Sequence, residues 1–269
     1  MTAKQKRFTI ADIVAQKGKT PLVCLTAYTA PFAKILDAHT DILLVGDSVG
    51  MALYGMDSTL NVTTQMMIEH GKAVVKASNH SLVVVDLPFG SYQQSPQQAF
   101  KTASRVMAKT GADAVKLEGG ESMQETIAFL VQRGIPVMGH VGLMPQHVSV
   151  TSGYHYQGRD KTSANQIMKD AKAVEKAGAF AVVIEAVTAP VAETVTHKLS
   201  IPVIGIGASE KCDGQILVTE DMVGLFTDFQ PKFVRRYGEL AKTLGDAVKH
   251  YADDVKNRSF PSSQEMVKK

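Results

Sequence analysis

A short buried strand is predicted by the stretch Gly111-Ala112-Asp113-Ala114-Val115-Lys116-Leu117-Glu118-Gly119-Gly120. Because successive strand side chains point to opposite faces, Lys116 and Glu118 should share one face, and Val115 and Leu117 the other. Lys and Glu are seldom fully buried without a partner. The pair therefore indicates either a simple ion pair at the end of a strand or part of a polar site.

Three other apolar runs also end in a carboxylate. They are Ile42-Leu43-Leu44-Val45-Gly46-Asp47, Leu82-Val83-Val84-Val85-Asp86 and Ala181-Val182-Val183-Ile184-Glu185. Four unrelated carboxylates at the ends of four strands would need four separate structural roles. One converging site at the carboxyl ends of parallel strands is the simpler interpretation.

The order of strands and helices predicts an α/β fold. Apolar runs rich in Val, Ile and Leu alternate with helical segments eight times, as expected for parallel strands that are covered on both faces. Eight such units in 269 residues suit a (β/α)8 TIM barrel, with a single domain over residues 1–269. A doubly wound open sheet is the alternative, but polar groups follow five successive strands, which favours a barrel rim over one switch point.

Helix boundaries are also predicted from capping residues. Thr9 should cap a short N-terminal helix that is closed by Gly18 and could plug the bottom of the barrel. Ser122 and Glu125 have the spacing of a capping box. A long final helix is expected over residues 231–256.

The composition argues against several classes of protein. The net charge is +3 and the excess Lys lies near the termini, so no nucleic-acid patch is expected. No apolar run approaches the roughly 18 residues of a membrane span, and the start of the chain lacks the apolar core of a signal peptide. Cys24 and Cys212 are too few for a disulfide framework, which favours a cytoplasmic location.

Asp47, Asp86 and Glu118 are candidate metal ligands. Carboxylates suit Mg²⁺, which commonly takes one or two protein carboxylates and completes its shell with water and substrate. An Asx turn or a helix cap would explain Asp47 alone, but Asp86 is followed by Leu87-Pro88, where no helix begins. Ser48 could donate its hydroxyl and backbone N–H to an anionic substrate, or it could be an ordinary loop residue.

His140 and Glu185 are candidates for contact with the reacting groups. His140 follows the fifth strand, where a purely structural His is the alternative. Glu185 ends an apolar strand, where partial shielding from water favours proton abstraction; a strand-end ion pair with Lys is its alternative. Gly205-Ile206-Gly207 could form a phosphate-binding turn or a plain one. The chain lacks a P-loop, a complete GxGxxG fingerprint and a Gly-x-Ser-x-Gly elbow, which disfavours nucleotide hydrolysis and serine nucleophiles.

Together these motifs resemble the ketopantoate hydroxymethyltransferase family over nearly the whole chain. The blocks that carry the resemblance are Val45-Gly46-Asp47-Ser48-Val49-Gly50, Asp57-Ser58-Thr59-Leu60, Asp86-Leu87-Pro88-Phe89, Val115-Lys116-Leu117-Glu118-Gly119-Gly120, Gly139-His140-Val141-Gly142-Leu143, Tyr154 with Gln157-Gly158-Arg159, Ile184-Glu185, Ile201-Pro202-Val203-Ile204-Gly205-Ile206-Gly207-Ala208 and Asp213-Gly214-Gln215-Ile216-Leu217-Val218.

The resemblance implies a (β/α)8 barrel, a cytoplasmic homodecamer and Mg²⁺. It also implies 5,10-methylenetetrahydrofolate as one-carbon donor and α-ketoisovalerate (3-methyl-2-oxobutanoate) as acceptor, giving ketopantoate for the pantothenate and coenzyme A pathway. No nucleic acid or membrane partner is expected. The residue roles that it implies are Asp47 and Asp86 as ligands of the metal and its bound substrate, Glu118 near the metal through water, Ser48 and Lys116 on the oxo-acid carboxylate, His140 near the substrate and Glu185 as the base.

Three loop positions depart from the common pattern of that family. Ser209 follows Gly207-Ala208 where Gly is usual, Gly90 stands where a larger residue is common, and Ser152 replaces a Gly before Gly153-Tyr154. These departures concern loop conformation or folate contacts and remove no candidate catalytic group.

Two rival interpretations remain open from the sequence. A magnesium barrel of the phosphoenolpyruvate mutase and isocitrate lyase group would also stabilise enolates of 2-oxo acids, but a catalytic Cys in a Lys-Lys-Cys-Gly-His type of loop is expected there, and Cys212 has no such setting. A non-catalytic barrel should have lost at least one of the acids at the rim, and all of them are present.

Overall fold

The fold is a closed barrel of eight parallel strands in the order β1 to β8. The computed structural model describes residues 7–151, 153, 155–227 and 230–267. The strands are β1 Leu22–Thr26, β2 Ile42–Val45, β3 Leu82–Asp86, β4 Ala114–Glu118, β5 Val137–Gly142, β6 Ala181–Glu185, β7 Val203–Ile206 and β8 Gly214–Leu217. The prediction of a (β/α)8 TIM barrel is therefore confirmed.

Helices precede the first strand, connect the strands up to β7 and follow β8. They are α1 Ile10–Val14, α2 Ala30–Leu36, α3 Val49–Tyr54, α4 Thr64–Ala77, α5 Pro96–Thr110, α6 Gln124–Val131, α7 Val148–Thr151, α8 Lys161–Lys176, α9 Ala189–Lys198, α10 Thr219–Met222 and α11 Leu240–Lys256, with short 3₁₀ helices at Thr59–Asn61, Glu121–Met123 and Pro145–His147. None of the helices in the described ranges is long and apolar enough to cross a membrane.

The chain forms two compact units, Met1–Val218 and Thr219–Lys269. All eight strands lie in the first unit, and the second contains α10 and α11. That one domain covers residues 1–269 stays a prediction.

The strand register places alternate side chains inside the barrel. In β4, Lys116 and Glu118 belong to the inward set, while Val115 and Leu117 pack among outward-facing core residues. This confirms the predicted alternation. The inner cluster consists of apolar side chains towards the amino ends of the strands, so the polar inward residues lie at the carboxyl ends.

The short helix α1 closes the amino end of the barrel. Thr9 caps it through a reciprocal pair of bonds with Asp12. Ile13 is fully buried in the same cluster as Leu22 and Ile42, which fits the predicted plug. The helix ends at Val14, earlier than Gly18, because the following residues form turns.

Two predictions about helix boundaries are wrong. The final helix begins at Leu240, not at Pro231, because the backbone N–H groups of Tyr237 and Leu240 donate to the carbonyls of Met222 and Val223 and hold the preceding segment outside a helix. The capping box at Ser122 does not form.

Ser122 instead lies within the 3₁₀ helix Glu121–Met123, and α6 begins at Gln124 without a side-chain cap. The carboxylate of Asp170 accepts the Glu121 N–H at 2.9 Å. This contact from α8 replaces the expected local cap and fixes where the turn starts.

Candidate active site

Asp86 and Lys116 form a buried ion pair at the carboxyl ends of β3 and β4. The two residues are register partners in the sheet, and Lys116 Nζ donates to Asp86 Oδ1 at 2.5 Å. Both side chains are almost fully buried. Burial alone would lower the pKa of Lys116, but Asp86, Asp47 and Glu118 together raise it above its ordinary value. Lys116 therefore keeps its positive charge inside the barrel.

Asp47 follows β2 directly and lies against Asp86. Its backbone N–H donates to Asp86 Oδ2 at 3.0 Å, and its own Oδ2 accepts from Gln146 Nε2 at 2.8 Å. Burial first, and then the charge of Asp86, raise the pKa of Asp47 to about 7, while Lys116 opposes the shift. The negative charge at this point is thus only partly compensated.

Glu118, His140 and Glu185 form a row across β4, β5 and β6. Glu118 and His140 are register partners. His140 Nδ1 lies 3.7 Å from Glu118 Oε1, and His140 Nε2 lies 3.2 Å from Glu185 Oε2. Neither ring nitrogen makes a hydrogen bond of good geometry to the described residues. Burial first, and then Asp47, raise the pKa of Glu118 well above its ordinary value.

Ser48 lies beside the same carboxylates. Its hydroxyl is 2.8 Å from the hydroxyl of Tyr28. A Cβ at Gly46 would come within 2.8 Å of Ser48 Oγ and within 3.5 Å of Asp86 Oδ2, so glycine at that position allows the hydroxyl to approach the cluster. The structure therefore brings together the residues that the sequence analysis proposed; their roles stay predictions.

Gln146 and Tyr92 were missed by the sequence analysis. Both are buried at this end of the barrel. The Gln146 amide bonds to Asp47, and its backbone N–H donates to Glu118 Oε2 at 3.0 Å. Gln146 lies in a 3₁₀ helix after β5, where the sequence has no helical or strand periodicity that would predict its orientation. Its position soon after the end of β5 was the only sequence feature that pointed to the site.

Other loop residues singled out from the sequence lie outside this cluster. Ser209 Oγ donates to Glu193 Oε1 at 3.0 Å and accepts the Lys211 N–H, which makes it part of a turn. Gly90 has a positive φ of 76° and open space where a Cβ would lie. Ser152 and Tyr154 lie outside the described residues. The phosphate-binding role of the Gly205 turn stays a prediction.

The donor set at the mouth fits a hard divalent cation. Among the described residues, no group of three or more His, Cys, Asp or Glu has the geometry of a formed metal site. Three buried carboxylates, those of Asp47, Asp86 and Glu118, nevertheless face one ammonium group. Burial first, and then the charge of Asp86, raise the pKa of Asp47, and a cation bound by Asp47 and Asp86 would favour the ionised carboxylates.

A parallel (β/α)8 barrel with ionisable side chains gathered at the carboxyl ends of its strands has the architecture of a barrel enzyme. The chain belongs to the ketopantoate hydroxymethyltransferase family, whose model matches residues 7–263. It is 58% identical to a 3-methyl-2-oxobutanoate hydroxymethyltransferase of Chelativorans sp. (strain BNC1), over 98% of this chain and 93% of the relative. It is 57% identical to the enzyme of the same name from Rhizobium etli, over 98% and 97% of the two chains.

The fold is also similar to that of a phosphoenolpyruvate phosphomutase from Streptomyces platensis subsp. rosaceus. The TM-score is 0.62, the identity is 12%, and the match covers 97% of this chain and 92% of the other. This likeness concerns the fold alone. Cys212 directly precedes Asp213 and β8 and accepts a weak hydrogen bond from Thr196, so it lies at the amino end of the barrel and away from the carboxylates of the candidate site.

Proposed function

We propose that this chain transfers a hydroxymethyl group from 5,10-methylenetetrahydrofolate to 3-methyl-2-oxobutanoate and so forms ketopantoate. One observation supports this most strongly. In this chain, a member of the ketopantoate hydroxymethyltransferase family, neighbouring strands place five ionisable side chains together at the barrel mouth: Asp86, Lys116, Glu118, His140 and Glu185. The cluster combines a charge that can bind an anionic oxo acid with a carboxylate that can take a proton.

Asp47 and Asp86 would hold Mg²⁺, with Glu118 close by through water. Bound there, Mg²⁺ supplies Lewis-acid polarisation of the keto oxygen of the substrate. The two aspartates are suited to this because they are buried and adjacent, and in the described part of the chain Lys116 is the one ammonium group facing three carboxylates, including theirs.

Lys116 and Ser48 would bind the carboxylate of the oxo acid. Lys116 stays charged because the surrounding carboxylates raise its pKa. A charged donor in a water-poor site forms a stronger hydrogen bond to a carboxylate than it would in bulk water. Binding there would orient the C3–H bond of the substrate relative to β6.

Glu185 would remove the C3 proton. Its side chain is 15% exposed, whereas that of Glu118 is 1% exposed, so Glu185 is the acid of this row that a substrate can reach. His140 Nε2, at 3.2 Å, limits the positions of the Glu185 carboxylate. Over the whole reaction the C3–H bond breaks, C3 bonds to the one-carbon unit, water supplies the hydroxyl oxygen and tetrahydrofolate leaves.

Product formation tests this proposal directly. The purified protein should convert 3-methyl-2-oxobutanoate and methylenetetrahydrofolate to ketopantoate, detected by mass spectrometry, and EDTA should stop the reaction until Mg²⁺ is restored. Omitting either substrate provides the control. Absence of ketopantoate with both substrates and Mg²⁺ present would overturn the proposal, and full activity in EDTA would overturn the role of the metal.

We further propose a cytoplasmic homodecamer, on the basis of the family resemblance. Light scattering coupled to size-exclusion chromatography measures the mass of the assembly without reference to shape. A mass close to that of a 29.0 kDa protomer would contradict the decamer.

A further inference from the structure

The side-chain amide of Gln146 uses its full hydrogen-bonding capacity inside the barrel mouth. Nε2 donates to Asp47 Oδ2 at 2.8 Å and to the Leu87 carbonyl at 3.0 Å. Oε1 accepts from the Tyr92 hydroxyl at 2.8 Å and from Gln93 Nε2 at 3.0 Å. Two donors and two acceptors are all that a Gln amide offers, so these four bonds fix which end of the amide faces Asp47.

Gln146 also closes a ring of hydrogen bonds with Tyr92 and Glu118. The Glu118 N–H donates to the Tyr92 hydroxyl at 3.1 Å, and that hydroxyl in turn donates to Gln146. The Gln146 N–H returns to Glu118 Oε2 at 3.0 Å. All three residues are at most 2% exposed, so water cannot replace a lost member of the ring.

Gln146 thereby links two carboxylates and one backbone carbonyl at the carboxyl ends of three different strands. Asp47 follows β2, Leu87 follows β3 and Glu118 ends β4, whereas Gln146 follows β5. The contacts occupy one oxygen of Asp47 and one of Glu118. The Thr59 side chain also hydrogen-bonds to Asp47, so, of the described side chains, Gln146 is one of two that position this carboxylate.

We propose that Gln146 is a positioning residue that orients the carboxylates of Asp47 and Glu118 for a divalent cation. This inference depends on the proposed function in one respect: it takes these carboxylates to be the ligands of a metal ion. Partners that orient metal ligands typically change metal affinity about 10- to 100-fold when they are removed. Loss of the amide would also leave the buried Asp47 carboxylate without one of its donors, which is costly.

The experiment measures metal binding without turnover. Mn²⁺, whose free ion is detected by electron paramagnetic resonance, is titrated into the parent protein and into Gln146→Met, which keeps the side-chain length but has no amide. We expect the Kd for Mn²⁺ to rise about 10- to 100-fold in Gln146→Met. Tyr92→Phe should give a smaller rise, because Gln146 retains its bonds to Asp47 and Gln93.

Ser81→Ala is the matched control. Ser81 is fully buried and hydrogen-bonded at the amino end of the barrel, where its hydroxyl lies 2.8 Å from that of Thr40. This variant should lower the thermal unfolding temperature but leave the Kd for Mn²⁺ within about twofold of the parent, since it is far from the mouth. If Gln146→Met does not fold, Gln146→Asn retains a buried amide but withdraws it from Asp47, and the same rise in Kd is expected.

The outcomes separate this role from the proposed reaction. An unchanged Kd in the folded Gln146 variants, or a parent that binds no Mn²⁺, would overturn the positioning role. Ketopantoate formation by the parent is assayed separately, so an active enzyme whose Gln146 variants bind Mn²⁺ normally would refute only this inference. A raised Kd in a protein that makes no ketopantoate would support it while refuting the proposed function.

Discussion

Aspartates lie at both ends of the barrel, but their surroundings differ. At the amino end, three aspartates that directly precede a strand each accept a backbone N–H from the start of a neighbouring strand. The pairs are Asp41 with Val23, Asp113 with Val83 and Asp213 with Val203, at N···O distances of 2.8–2.9 Å. Each carboxylate thus joins two adjacent strands.

Asp37 is satisfied even more fully at the same end. It accepts the N–H groups of Asn79, His80 and Ser81. Burial alone would raise the pKa of Asp37, but these backbone donors hold it below its ordinary value. The protein therefore stabilises the ionised form of this carboxylate.

At the carboxyl end, carboxylates are buried next to one another, and their hydrogen-bond donors do not offset this crowding at Asp47 and Glu118. Asp47 has a pKa of about 7 because burial and Asp86 disfavour its charge, and the pKa of Glu118 is also raised. The same chemical group thus stabilises the fold at one end and is electrostatically disfavoured at the other. Under the proposed function, the electrostatic cost at the mouth serves binding and catalysis.

The largest expected effect comes from Glu185→Gln at the mouth. The variant keeps the shape of the side chain but cannot accept the C3 proton. We expect turnover to fall about 100- to 10,000-fold, with an unchanged unfolding temperature. The same loss is expected in the exchange of the C3 proton of 3-methyl-2-oxobutanoate with deuterated water. Proton NMR measures this exchange in the presence of Mg²⁺ and without folate. If the variant exchanges as fast as the parent, another group at the rim is the base.

Asp213→Ala, at the amino end, should lower stability but leave turnover nearly unchanged, the opposite of Glu185→Gln. Asp213 accepts from Lys17 Nζ at 2.7 Å, from the Gly18 N–H at 3.0 Å and from the Val203 N–H. Removing the carboxylate leaves the N–H groups of Gly18 and Val203 unpaired, while Lys17 keeps only its bond to the Thr196 carbonyl, so we expect the free energy of unfolding in urea to fall by about 2–3 kcal/mol. Turnover of the folded enzyme at 25 °C should change little. A loss of turnover like that of Glu185→Gln would contradict the division between the two ends.

Much of the barrel and its rim could be predicted from local sequence. Period-two alternation placed Lys116 and Glu118 on one inward face, and apolar runs ending at Asp86 and Glu185 located two further strand ends. These inferences succeed because a parallel strand fixes both the direction and the facing of its residues. The closed barrel then brings the strand ends together.

Contacts made across the mouth could not be predicted in this way. Gln146 acquires its role from partners that lie far away in sequence, at Asp47 and Tyr92. The late start of α11 also depends on partners outside the helix. The carbonyls of Met222 and Val223 accept hydrogen bonds from the N–H groups of Tyr237 and Leu240. Local propensity contains no information on such pairings.

The smallest expected effect, a pH dependence of stability, comes from Asp37. Because its pKa is lower in the folded chain than in the unfolded chain, its ionised form stabilises the fold. That contribution is complete above the unfolded pKa of about 4, and it disappears as the pH falls through the lower folded pKa.

Asp37→Asn should therefore be less stable than the parent at pH 7, and the gap should narrow as the pH falls below about 4. One proton accounts for a slope of at most about 1.4 kcal/mol per pH unit, which urea unfolding at several pH values can resolve. Asp253→Asn makes the same change at an exposed position of α11 and should show no comparable gap at pH 7. The stability difference between Asp37→Asn and the parent could instead stay constant or widen in acid. That result would mean that the backbone donors do not favour the charged carboxylate. The contrast between the two ends of the barrel would then not extend to Asp37.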